Sequence, residues 1–112
     1  MAPSSQRISV VTGGHGFVGR HLVDALVARG DRVRLIDLGA QQRDDVEFVQ
    51  ADITDQDAMI DAVAGAEVVF HNASVVHTKQ NKVDFVWHVN LEGSRRVLRA
   101  CQRSEVEKLV YV

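Results

Sequence analysis

The chain is poor in the features that would tie it to a wall, a membrane or a polyanion. Cys101 is its single cysteine, which excludes an internal disulfide and suits a reducing compartment, so the expected location is the cytoplasm. The first residues, Met-Ala-Pro-Ser-Ser-Gln, lack the apolar core of a signal peptide, and no apolar run is long enough to span a bilayer. Neither charge sign dominates: the formal net charge is −2. That gives no electrostatic reason to expect nucleic acid or a membrane surface as partner. His15, His21, His77 and His88 have no spacing with cysteine or carboxylates that marks a metal site, and read as surface or loop residues. There is no internal repeat and no low-complexity linker. What is left is 112 residues, 46% apolar and 25% charged, enough for one small globular domain.

The stretch Val10-Val11-Thr12-Gly13-Gly14-His15-Gly16-Phe17-Val18-Gly19 organises that domain. An apolar run ends in glycines, and a helical pattern with Val18, Leu22, Ala25 and Leu26 on one face starts directly behind them. Strand, glycine turn and helix are the context of a dinucleotide-binding fingerprint. The glycines fit two registers, Gly14-x-Gly16-x-x-Gly19 and Gly13-x-x-Gly16-x-x-Gly19. In either, they allow a tight turn, a close approach of a pyrophosphate and close helix–strand packing. Phosphate charge then sits at the helix start, with Phe17 and Val18 in the first turn. A bland glycine turn is the competing reading. An acidic residue about 20 positions further on argues against it, and Asp37 stands there.

The remainder alternates. Strands are expected at Arg7 to Thr12, Arg32 to Asp37, Val46 to Gln50, Ala66 to His71 and Glu107 to Val112. Helices are expected at Phe17 to Arg29, Gln56 to Ala64 and Lys82 to Arg103. Gly30 and Gly65 stop the first two, and Thr54 or Asp55 caps the second. Leu38 to Asp45 and Asn72 to Asn81 read as connections. The long helix carries Val83, Val86, Asn90, Val97 and Cys101 at helical spacing, with Lys79, Lys82, Arg95, Arg96, Arg99 and Arg103 as a solvated basic face. Such alternation implies a Rossmann-type α/β fold: a doubly wound parallel sheet, strand order 3-2-1-4-5, with right-handed crossovers. A ligand belongs above the carboxyl ends of strands 1 and 4, where the winding reverses.

Asp37, Asp52, Ile53 and His71-Asn72-Ala73-Ser74 all fall on that edge. Asp37 can accept bonds from adenosine-ribose hydroxyls and repel a 2′-phosphate, which favours NAD over NADP. Arg34 lies inside a strand and Arg43 in a loop, so neither is placed to reverse that preference. Asp52 either accepts an adenine amino group, with the Ile53 N–H beside it, or merely caps a turn. His71 reads as a satisfied strand-end histidine before it reads as a base. Asn72, Ala73 and Ser74 are small enough for backbone to approach a bound ring, though a loop serine is commonly a turn residue. Asn90 is a polar member of an apolar stripe. It either bonds a neighbouring carbonyl or holds a water in a proton relay. Gly93 and Ser94 allow another segment to pack close. Cys101 reads as a buried structural thiol.

Together these motifs resemble the N-terminal part of an extended short-chain dehydrogenase/reductase. The likeness rests on Thr12 to Gly19, Asp37, Asp52-Ile53-Thr54-Asp55, His71 to Ser74, Val89-Asn90-Leu91-Glu92-Gly93-Ser94 and Val106 to Val112, and covers nearly the whole chain. Phe70-His71-Asn72-Ala73-Ser74 and Val86-Trp87-His88-Val89-Asn90 are most similar to the 3β-hydroxysteroid dehydrogenase group, sterol dehydrogenases included. Sugar-nucleotide epimerases more often carry Ala-Ala where this chain has Ala73-Ser74. The resemblance implies hydride transfer to NAD from a steroid or sterol alcohol. A tyrosine made acidic by a lysine four residues later takes the proton, a serine orients the oxygen, and Asn90 holds the relay water.

The chain departs from that pattern at its end. Tyr111 is the only tyrosine, no lysine follows it four residues on, and the catalytic serine and Tyr-x-x-x-Lys are not in the sequence. The expectation is therefore a cofactor-binding part truncated after strand 5. A non-catalytic NAD-binding module and a sugar-nucleotide epimerase or dehydratase are the alternatives. With no later helix to cover them, Val68-Val69-Phe70 and Leu109-Val110 are expected to meet water, leaving the piece marginally stable or paired with a second copy.

Overall fold

The computed structural model describes residues 7–73 and 83–112. Strand β1 (Ile8–Thr12) leads through the glycine turn into helix α1 (Phe17–Arg29) and strand β2 (Arg32–Asp37). Strand β3 (Glu47–Gln50), helix α2 (Gln56–Val63) and strand β4 (Val68–His71) follow. Helix α3 (Val83–Arg103) and strand β5 (Lys108–Tyr111) complete the described chain. The sheet is five-stranded and parallel in the order β3-β2-β1-β4-β5, as the alternation predicts. β4 starts two residues later than expected, because the Ala66 N–H bonds back to the Val63 carbonyl and finishes the turn after α2.

Each face of the sheet has its own core. Val10, Ile36 and Val69 pack with Met59, Ala62 and Val63 of α2 and with Val97, Ala100 and Cys101 of α3. Val11, Val33 and Leu35 point the other way and meet Val23 and Leu26 of α1. Side chains alternate faces along each strand, so adjacent valines of β1 serve opposite cores. Burial inside the first cluster pushes the Cys101 thiol up to about 11, which makes it an unreactive core residue.

The helix ends follow local chemistry. At Gly30 the backbone takes φ 97°, and the N–H groups of Gly30 and Asp31 return to the last carbonyls of α1. Asp55, rather than Thr54, caps α2: its carboxylate accepts the Ala58 N–H at 3.1 Å. Thr54 is instead bound to Asp52 through its N–H and its hydroxyl.

Two expectations change. The buried side of α1 is Gly19, Val23 and Leu26, whereas Val18 and Ala25 are exposed. Gly19 has to lie against the β1 turn, and this rotates Phe17 and Val18 outward. The expected exposure of strands β4 and β5 is also smaller. Val68 and Val69 are buried, Leu109 joins the α2–α3 core, and Phe70 and Val110 are half-buried. Phe70 leans on the α1 cluster, which shields part of it.

Candidate functional site

The winding reverses between β1 and β4, and a cleft of about 580 Å³ opens above their carboxyl ends. Its walls include Gly13, Gly16, Phe17, Val18, Asp37, Asp52, Ile53, Asn72 and Ala73. Residues far apart in sequence therefore meet where the alternation predicts. Ser74 lies outside the described residues, as do His77, Lys79 and Lys82.

The glycine turn is shaped by backbone crowding. Gly13 has φ 67°, and a Cβ there would come within 2.8 Å of the Ala73 Cα. A Cβ on Gly19 would strike the Gly13 carbonyl oxygen and approach Asn72 Nδ2 to 2.9 Å. A Cβ on Gly14 would strike Cγ of the fully buried Leu35 side chain, and Gly16 is the N-cap of α1. The positions where backbone leaves no room are thus Gly13 and Gly19, with the cap at Gly16 between them. Gly14 is closed by the buried Leu35 side chain, so the first glycine of either register has no room for a Cβ.

The start of α1 differs from that of α2. Asp55 caps α2 and Asp57 lies in its first turn. At α1 no side chain among the described residues caps the helix, and no acid lies in the first turn. Gly16, Phe17 and Val18 at that start line the cleft, and the positive end of the helix dipole lies there. Phe17 and Val18 are 72% and 52% exposed at its mouth. The Phe17 ring carries the Arg20 guanidinium 5.4 Å from its centroid and the His21 ring at its edge.

Asp37 closes the opposite wall. Its Oδ2 accepts the His15 N–H at 3.1 Å and its Oδ1 the Gly39 N–H at 3.0 Å. The carboxylate is thereby oriented before any ligand arrives. Asp52 fulfils the turn role, with Oδ1 accepting both the N–H and the hydroxyl of Thr54, and it also lines the cleft. Ile53 is buried in the core, against Gly93 of α3. Asn72 gives its N–H to Thr12 Oγ1 and its side-chain amide to the Gly13 carbonyl. Asn90 is half-buried and its carbonyl accepts the Ser94 hydroxyl at 2.7 Å; its neighbour Val89, not Asn90, lines the cleft.

Several residues carry more than the sequence revealed. Thr12 is fully buried and holds the loop after β4, its Oγ1 accepting the N–H groups of Asn72 and Ala73. The available signal was a polar residue at the end of an apolar strand. His15 is no plain loop residue: its ring stacks on Phe48 at 5.5 Å and it lines the cleft. Arg34 is committed elsewhere, donating to the Ala62 and Ala64 carbonyls at 2.7 and 2.8 Å and to Glu47. Arg43 is held by Asp24 and Asp45. His71 is satisfied at both ring nitrogens, by Thr12 and Ser94, and burial lowers its pKa to about 4. The satisfied-histidine reading holds.

A doubly wound sheet, a crowded glycine turn at an uncapped helix start and a preset acid at the end of β2 define a dinucleotide-binding class of domain. Residues 10–112 match the 3-beta hydroxysteroid dehydrogenase/isomerase family. The chain belongs to that family. It is 36% identical over 110 residues to the bovine (Bos taurus) sterol-4-alpha-carboxylate 3-dehydrogenase, decarboxylating, covering 96% of this chain and 30% of that protein. It is 35% identical over 113 residues to a 3 beta-hydroxysteroid dehydrogenase/Delta 5-->4-isomerase of Mycobacterium tuberculosis, covering 91% of this chain and 30% of that protein. A short-chain dehydrogenase/reductase superfamily protein from Agrobacterium tumefaciens, solved with bound NAD, superposes with TM-score 0.85 at 33% identity, covering 94% of this chain and 32% of that one. The UDP-glucose 4-epimerase of Thermus thermophilus, solved with NAD, superposes with TM-score 0.77 at 34% identity, covering 91% of this chain and 36% of that one. The chain thus spans about 30% of the length of these curated relatives. No helix among the described residues is long and apolar enough to cross a membrane.

Proposed function

We propose that this chain is the dinucleotide-binding part of an NAD-dependent oxidoreductase that acts on the hydroxyl group of a steroid or sterol. The observation that carries the reading is the pairing across one cleft of an uncapped helix start with the preset Asp37 carboxylate. Gly13, Gly14, Gly16 and Gly19 leave room for a pyrophosphate, and the amides of Phe17, Val18 and Gly19 hold its charge. Asp37 accepts the adenosine-ribose hydroxyls and repels a 2′-phosphate, so NAD is preferred to NADP. Asp52 and Ile53 border the adenine; Asn72, Ala73 and Ser74 border the nicotinamide ribose. When bound, the nicotinamide supplies a hydride acceptor. Asn90 holds a water on the proton path. The Tyr-x-x-x-Lys proton-transfer group is not among these residues.

The sterol assignment is supported by the family match and by the 36% identity to the bovine sterol dehydrogenase. A nucleotide-sugar epimerase is the second reading, favoured by the 34% identity to the Thermus epimerase. The protein isolated from its native source separates them. NADH accumulation with a 3β-hydroxysteroid supports the first. Conversion of UDP-glucose without net NADH overturns it. The reading also includes a cytoplasmic location, supported by the lone buried thiol of Cys101, and a second copy of the chain as partner. Trp87, Leu91 and Leu98 support that partner, being exposed at helical spacing along α3. Sedimentation of Leu98→Glu tests the pairing: a dimer that dissociates supports it, and an unchanged monomer in both forms removes it.

A further inference from the structure

His71 ends β4 with its side chain almost fully buried, at 2% exposure. Its Nδ1 lies 2.9 Å from Thr12 Oγ1 and its Nε2 lies 3.0 Å from Ser94 Oγ. Either hydroxyl can donate or accept, so these distances alone leave the proton unassigned. The neighbours assign it. Thr12 Oγ1 already accepts the Asn72 N–H at 3.0 Å and the Ala73 N–H at 2.9 Å. Those bonds use both acceptor sites of a hydroxyl, and its one proton is left for Nδ1. An accepting Nδ1 in a neutral imidazole puts the ring proton on Nε2. The Nε2–H then donates to Ser94 Oγ. The Ser94 proton goes on to the Asn90 carbonyl at 2.7 Å.

The result is a hydrogen-bond chain with one direction, from Thr12 through His71 and Ser94 to Asn90. It joins β1, β4 and α3. At one end it fixes the Asn72–Ala73 loop, which forms the cleft wall against Gly13. At the other it fixes the turn of α3 that follows Val89, a residue of the same cleft.

We propose that His71 is a positioning residue, locked as the neutral Nε2–H tautomer, that transmits occupation of the cleft from the Asn72–Ala73 loop to helix α3 at Asn90. The transmission half rests on the dinucleotide reading given above; the tautomer half does not. A proton on Nδ1 would face the Thr12 hydroxyl, and that hydroxyl could accept it only by releasing the Asn72 or Ala73 N–H. Burial opposes the charged ring independently. Among the described residues, the groups packed on the ring from β1, α3 and β5 are Thr12, Ser94 and Tyr111, with no carboxylate and no ammonium between them.

The tautomer is read by imidazole-nitrogen NMR on the whole chain labelled at histidine. The expected spectrum has an unprotonated Nδ1 and a protonated Nε2 from about pH 8 to about pH 5.5, across the range where a free imidazole titrates. A protonated Nδ1 at neutral pH overturns the assignment. Transmission is read by amide hydrogen exchange along α3 with and without saturating NAD. In the native sequence NAD slows exchange between Val89 and Ser94. In Ser94→Ala that slowing disappears, and in Ser94→Thr, which restores the hydroxyl, it returns. A Ser94→Ala chain that responds like the native one overturns the transmission. A native chain that shows no NAD effect anywhere contradicts the dinucleotide reading and the transmission with it, while the NMR result still decides the tautomer.

Discussion

The Asp37 carboxylate clamps the glycine turn, its Oδ2 accepting the backbone N–H of His15 at 3.1 Å. The group assigned to the ribose and the turn assigned to the pyrophosphate are thus a single rigid unit, joined before a ligand binds. Preorganisation of this kind removes ordering cost from binding.

Asp37→Asn tests the unit. The amide replaces one accepting oxygen by a donor, which then confronts a backbone N–H or a ribose hydroxyl. Affinity for NAD should fall about tenfold, or about 1.4 kcal/mol. Removing the charge also relieves repulsion of a 2′-phosphate, so the NAD/NADP ratio of affinities should shrink further. Calorimetric titration with both nucleotides measures this, and an unchanged ratio contradicts the assignment of Asp37.

Gly19→Ala sets helix propensity against crowding. In an open helix position alanine is favoured by about 1 kcal/mol. Here the new methyl meets the Gly13 carbonyl oxygen and Asn72 Nδ2. The net effect should be a loss of about 1–3 kcal/mol in urea unfolding, together with loss of NAD binding. A stabilised variant would show that the turn tolerates a side chain at this position.

Arg34→Met removes a half-buried capping interaction rather than only a surface ion pair. The Arg34 side chain is 15% exposed and serves the Ala62 and Ala64 carbonyls at the end of α2. Stability should fall by about 1–3 kcal/mol, more than the roughly 1 kcal/mol at most that an exposed pair provides. Because Arg34 is occupied there, its loss should not alter the NAD/NADP ratio. Arg34→Lys should restore only part of the stability, since one ammonium cannot reproduce the guanidinium fork.

Acid should weaken the fold through His71 first. Its folded pKa, about 4, lies below the ordinary value of 6.5, so the unfolded chain binds the proton more readily. The stabilisation is complete above about pH 6.5 and is lost as pH falls through about 4, amounting to about 3 kcal/mol. Asp31 and Glu47 add to the loss at lower pH. Hydrogen bonding from Arg29 holds the Asp31 carboxyl below its usual range, and bonds from Arg32 and Arg34 outweigh burial to do the same for Glu47. Urea midpoints between about pH 7 and about pH 4.5 should decline in the native sequence and decline less in His71→Gln, whose amide does not titrate. Parallel declines would assign the acid sensitivity to the carboxylates alone.

Much of this architecture was legible because its causes are local. The apolar runs of β1 and β4, the stops at Gly30 and Gly65, and Asp37 at its distance from the glycines set order and edge without any tertiary information. The side of α1 that faces the sheet was not legible. Its apolar residues suggest Val18, Leu22, Ala25 and Leu26, but the close approach of Gly19 to Gly13 rotates the helix and leaves Val18 in the open. Arg34 and His71 were legible as strand residues that serve the fold, but their partners were not, for a related reason. Whether a polar residue in a strand serves a ligand or the fold depends on which carbonyls and hydroxyls the crossovers bring beside it. Ala62, Ala64, Thr12 and Ser94 are all remote in sequence from the residues they satisfy. Asp52 was legible as a choice between turn and ligand, and the Thr54 bonds show the turn realised without removing it from the cleft wall.

The most direct test of the central claim is an NMR titration of the chain with NAD, following every backbone amide. The account predicts saturable shifts concentrated in Gly13 to Gly19, at Asp37, at Asp52 and Ile53, and at Asn72 and Ala73, with weaker effects from NADP. Shifts located elsewhere, or none at millimolar NAD, would contradict it.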